Sequence, residues 1–113
     1  MDANPHGPAN AISLGLHRLV AEAVRADPQR RVREALAAVA RDQARGTLDP
    51  RYAARWRAVL RGPLPGLLRV LEGDDEPARE LRQNSPFAGV VPPRERQRVV
   101  REAWARARER ERA

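Results

Sequence analysis

Twice in this chain an Asp-Pro pair stands just before an apolar stripe of helical spacing, at Asp27-Pro28 and at Asp49-Pro50. Asp before Pro is a helix start. The carboxylate accepts amide hydrogens of the first turn that have no partner inside the helix, while Pro lacks an amide hydrogen and has its φ angle already set for the first helical position. The residue before a Pro is also pushed out of helical conformation. Asp27-Pro28 therefore ends one helix and opens the next, and Asp49-Pro50 opens a third, which leaves short helices joined by short connections.

The apolar spacing fills in the segments. Ile12, Leu16, Leu19, Val20 and Ala23 recur at three- and four-residue intervals and predict a helix ending before Asp27. Val32, Ala35, Leu36 and Val39 form the stripe of the second helix, with Gly46 as its C-terminal stop. The third carries Tyr52, Trp56, Val59 and Leu60 and closes at Gly62-Pro63. Leu64, Leu67, Leu68 and Leu71 make a short apolar helix that ends at Gly73. Asp74, Asp75 and Glu76 precede Pro77 as a negatively charged start for a further short helix through Ala78 and Leu81. Arg94 to Arg112 forms the last helix, with Val99, Val100, Ala103, Trp104 and Ala107 along one side and arginines around the rest. No segment reads as a strand.

The expected fold is all-α, a compact bundle of about five or six helices with a Pro/Gly-containing loop before a long C-terminal helix. Residues 1–9, with two prolines, a glycine and no apolar periodicity, are expected as a flexible N-terminal arm, and residues 10–113 as a single helical domain.

A chain of 113 residues has room for one modest core and little for a large enclosed active site. It has no Cys, and its two histidines, His6 and His17, stand too far apart to suggest a zinc site, so neither a metal nor a cofactor is expected. No run approaches the roughly 20 apolar residues of a membrane span. Met1 to Asn10 lacks the basic start and apolar middle of a signal peptide, which predicts a cytoplasmic protein. The net charge is +7 and all 22 basic residues are Arg. That composition looks partly like a GC-rich coding bias, yet guanidinium groups still pair with phosphate and carboxylate in bidentate fashion.

Three candidate sites stand out. Arg51, Arg55, Arg57 and Arg61 share a helix with Tyr52 and Trp56 and contain no acid among them, a pattern suited to nucleic-acid phosphates; the alternative is that the apolar residues face the core and the arginines face water. Catalysis has less support. His17 borders an apolar stripe, Ser13, Thr47 and Ser85 belong to no catalytic motif, and no Gly-rich phosphate loop is present, so the protein is expected not to be an enzyme. The third candidate is Asn84 to Pro93, ten uncharged residues holding the only Phe and three prolines. Phe87, Val90 and Val91 either fold back as a lid on the core or form an apolar patch for another protein, rimmed by Arg82, Arg94, Arg96 and Arg98. With Gly89 between them, Val90 or Val91 is expected to be buried and Phe87 partly exposed.

The series Trp56, Leu60, Gly62-Pro63-Leu64, Leu67-Leu68 and Leu71, followed by "ARELRQNSPFAGVVPPRER", resembles small helical antitoxin-like proteins of high-GC bacteria. The likeness spans residues 56–101 and is strongest at Leu81-Arg82 and from Ser85 to Val90. Pro92 stands where such proteins carry a Ser or Thr helix cap. The resemblance implies a protein that binds and neutralises a cognate toxin, with operator DNA as a further partner, and that uses Arg82, Ser85, Phe87, Val90, Val91, Arg94, Arg96 and Arg98 for the protein contact. The basic charge points to an acidic toxin surface.

Overall fold

The computed structural model describes residues 7–112. They form six helices: α1 (Gly7–Ala26), α2 (Pro28–Ala44), α3 (Pro50–Arg61), α4 (Leu64–Glu72), α5 (Glu76–Arg82) and α6 (Pro93–Arg112). There is no strand among the described residues. The all-α bundle follows from the punctuation. Asp27 and Asp49 are the N-caps of α2 and α3, accepting from Arg30 N at 3.4 Å and Arg51 N at 2.8 Å, and Asp75 caps α5 through Ala78 N at 2.9 Å.

α2 ends in a Schellman arrangement. Gly46 takes φ +75°, its amide donates to Gln43 O at 3.1 Å, and Thr47 N donates to Asp42 O at 2.9 Å. A side chain at that φ would be strained, which is why Gly stands there. Gly7 to Ala9, expected in the flexible arm, belong to the first turns of α1; the rest of that arm lies outside the described residues.

α1 is the central helix and packs against α2, α4, α5 and α6. Val20, Ala21 and Val24 of α1 meet Ala35 and Val39 of α2, Trp56 and Leu60 of α3, Leu67 and Leu71 of α4 and Leu81 of α5 in one core. Trp56, completely buried, donates its indole N–H to Leu81 O at 3.2 Å, so the largest core side chain leaves no donor unsatisfied. α6 packs chiefly on α1, where the chains come close at Gly15. A Cβ there would lie 2.7 Å from Val99 Cγ1. Only Val99 and Ala103 of α6 are buried, and Trp104, expected on its apolar side, is 49 % exposed.

Candidate functional site

The uncharged stretch before α6 is a lid. Phe87 is 2 % exposed and meets the Trp56 ring edge-on, with centroids 5.9 Å apart and an interplanar angle of 70°. Pro86 and Val91 are buried beside it, and Val90 is half-buried. The loop is held by its own bonds: Phe87 N donates to Ser85 Oγ at 3.1 Å, Val90 N to Phe87 O at 3.1 Å, and Arg96 Nη2 reaches back to Ala88 O at 2.7 Å.

Partial exposure of Phe87 was the wrong expectation. Ser85 and Pro86 turn the chain inward before Phe87, and Trp56 offers a ring edge that rewards an aromatic there. As partner contacts, Phe87 and Val91 are therefore out of reach in this fold. So is Arg82, only 2 % exposed. Its Nη1 donates to Val70 O at 2.8 Å and to Gly73 O, carbonyls at the end of α4 that the helix itself cannot satisfy. Arg82 is thus a cap for a neighbouring helix. Of the remaining residues named for that surface, Arg94 and Arg98 are exposed, and Ser85 and Arg96 are half-buried.

What sequence spacing could not show is the partner of His17, which lies 68 residues away. Ser13 O lies 2.7 Å from His17 Nδ1 and can only accept, so that nitrogen carries the proton. Nε2 then accepts from Ser85 Oγ at 2.8 Å. This is nucleophile-to-base distance, but the chemistry is that of a clasp. Burial, opposed by the Ser13 carbonyl bond and assisted by the charges of Arg82 and Arg96, lowers the His17 pKa to about 4, leaving a weak base. The Ser85 oxygen is also occupied by the Phe87 amide. His17 therefore pins the lid to α1. The same residues line a cavity of about 320 Å³ between α1, the lid and the start of α6.

A second concavity, of about 440 Å³, lies between α2, the end of α3 and the start of α4. Its walls are Val32, Leu36, Leu60, Leu64 and Leu67, with Gln29 and Arg33 at the α2 side. Val32 and Leu36 are half-buried and Leu64 is 36 % exposed. The stripe of α2 has two rows: Ala35 and Val39 enter the core, while Val32 and Leu36, one row over, border the groove. No Asp or Glu lines it, and Arg33 makes no ion pair among the described residues.

The arginines of α3 are largely engaged within the chain. Arg51 bonds Asp49, Arg55 lies 3.6 Å from Glu80 and 5.7 Å from the Tyr52 ring centre, and Arg57 donates to Gln43 Oε1 at 2.7 Å. Arg61 is exposed. Tyr52 donates to Glu80 Oε1 at 2.6 Å, which raises the phenol pKa and lowers that of the carboxyl. No three metal-binding side chains come together among the described residues, and no helix is long and apolar enough to cross a membrane. No family model, curated protein or solved structure matches the chain.

Proposed function

We propose that this is a non-enzymatic, cytoplasmic protein-binding module, and that its partner places an acidic, amphipathic helix in the groove between α2, α3 and α4. One observation carries the reading. A concavity of about 440 Å³ walled by valine and leucines stays open to solvent, with arginine and no acid on its lining. Apolar surface that a chain leaves uncovered in a continuous patch is commonly a place for another molecule, and helix-in-groove docking uses apolar anchors at helical spacing. The net charge of +7 favours encounter with an acidic surface. On the resemblance over residues 56–101, that partner is the toxin of a toxin-antitoxin pair, and binding blocks it.

The test is co-expression with the product of the adjacent gene, followed by pull-down and growth measurement. Wild-type chain should bind the product and relieve its toxicity, and Leu64→Asp should bind at least tenfold more weakly. A harmless neighbour, or a toxic one that the chain neither binds nor rescues, removes the reading.

A second reading, a small DNA-binding regulator, rests on α6. Arg94, Arg98, Arg101, Arg106, Arg108, Arg110 and Arg112 are all exposed on that one helix. Phosphate contacts release counterions, so duplex affinity would fall steeply between low and physiological salt. A flat salt response in fluorescence anisotropy removes it.

A further inference from the structure

The cavity beneath the lid holds two arginines and no acid. Its wall divides in two: Ile12, Leu16, Val20 and Phe87 are apolar, while Ser13, His17, Ser85, Arg82 and Arg96 are polar or charged. The volume of about 320 Å³ falls at the small end of the roughly 300–1,000 Å³ of small-molecule sites.

Arg82 is the unusual member. It is 2 % exposed, and although Nη1 is satisfied by two carbonyls, Nε and Nη2 are buried with no hydrogen-bond partner. Asp74 and Asp75 act on it through charge but make no hydrogen bond to it, and neither lines the cavity. A buried guanidinium in that condition, only partly offset by Asp74 and Asp75, leaves a positive potential at the cavity wall. His17 registers it: besides burial, both Arg82 and Arg96 disfavour its protonation. Arg96 is half-buried on the cavity wall, with one amine committed to Ala88 O.

We infer that this cavity is a binding site for a small monocarboxylic acid with a short hydrocarbon body. The carboxylate is received by Arg96, while Arg82 supplies its charge from the wall behind, its own donors being closed to water. The hydrocarbon body lies against Ile12, Leu16, Val20 and Phe87. Two arginines beside an apolar face of Ile12, Leu16, Val20 and Phe87 suit a carboxylate with a hydrocarbon body better than inorganic phosphate, which has nothing to place against that face. The site is built from α1, the end of α5, the lid and α6, and shares no residue with the α2–α4 groove.

Titration of the full chain with hexanoate, followed by amide chemical shifts in NMR, tests this. Saturable shifts are expected at Ser85, Phe87, Ala88 and Arg96, with a dissociation constant of roughly 1 mM or tighter. Hexanamide, which keeps the shape and loses the charge, should bind at least tenfold more weakly, and so should hexanoate to Arg96→Gln. Leu64→Asp should leave hexanoate binding unchanged, which separates this site from the groove. Hexanamide binding as well as hexanoate would reduce the site to an apolar hole. Phosphate binding as well as hexanoate would show that charge alone is read. Either result, or no saturable shift, overturns the inference.

Discussion

The two ends of this bundle treat apolar surface in opposite ways. Beneath the lid, Phe87 and Val91 come back from an uncharged loop to cover the Trp56 side of the core, and His17 fastens that loop through Ser85. Across α2, α3 and α4, Val32, Leu36 and Leu64 are of comparable apolar character, yet no segment among the described residues closes over them. The difference teaches where function can lie. The covered surface contributes to stability and leaves only an enclosed space fit for a small molecule, whereas the open one is available to another protein.

That contrast can be broken most directly at Phe87. Phe87→Ala should destabilise the protein by about 3–5 kcal/mol in denaturant unfolding, as a large-to-small change at a buried aromatic. A loss below about 1 kcal/mol would mean that the lid does not hold in solution and that the two ends are alike.

Acid should loosen the covered end first. The folded His17 pKa of about 4 lies below the unfolded value near 6.5, so the neutral form is favoured by folding. The associated stability is present in full above about pH 6.5 and is lost as pH falls toward 4, on the order of 3 kcal/mol in all. The depressed carboxyl groups of Glu34, Asp49, Glu72, Asp74 and Glu80 act in the same direction only at lower pH, because unfolded carboxyls titrate near 4. Melting curves at pH 7.5, 6.5, 5.5 and 4.7 should therefore show a decline that His17→Gln largely removes. An equal decline in both proteins would dissociate His17 from the lid.

At the open end the effect belongs to binding. Leu64→Asp should weaken partner capture at least tenfold, about 1.4 kcal/mol, as expected for an anchor in a groove, while leaving the melt of the isolated chain within about 0.5 kcal/mol. An acid in the first turn of α4 also sits well with the helix dipole.

The finest comparison uses one substitution at both ends. Val91→Thr buries a hydroxyl under the lid and should cost about 1–3 kcal/mol. Val32→Thr, at a half-buried groove position, should stay within about 0.5 kcal/mol. Equal costs would mean that the groove is as dry as the core.

The helices were legible because their signals are local. Asp27, Asp49 and Asp75 cap in the folded chain where Asp-Pro and Asp-Glu-Pro spacing places a start, and Gly46 and Gly73 mark ends that depend on a few neighbouring bonds. Trp56, Leu67 and Leu71 enter the core along the stripes that their spacing draws. The site was not legible in this way. Whether Phe87 points in or out depends on a ring 31 positions earlier, and His17 acquires its role only when α1 and the lid meet. Periodicity likewise marks Val32 and Leu36 as apolar-facing without saying whether anything covers them. Arg82 reads as surface charge until the end of α4 is seen to need its donors.

The chain's two tryptophans sit in opposite surroundings, Trp56 sealed in the core and Trp104 half out of it on α6. This gives the protein two native optical reporters. Emission from Trp56 should be shielded from iodide and acrylamide and sit at shorter wavelength, while Trp104 should emit at longer wavelength and be quenched readily. In Trp104→Phe the remaining signal comes from the indole that touches both Phe87 and Leu81 O, so opening of the lid can be timed in a stopped-flow instrument with no attached dye.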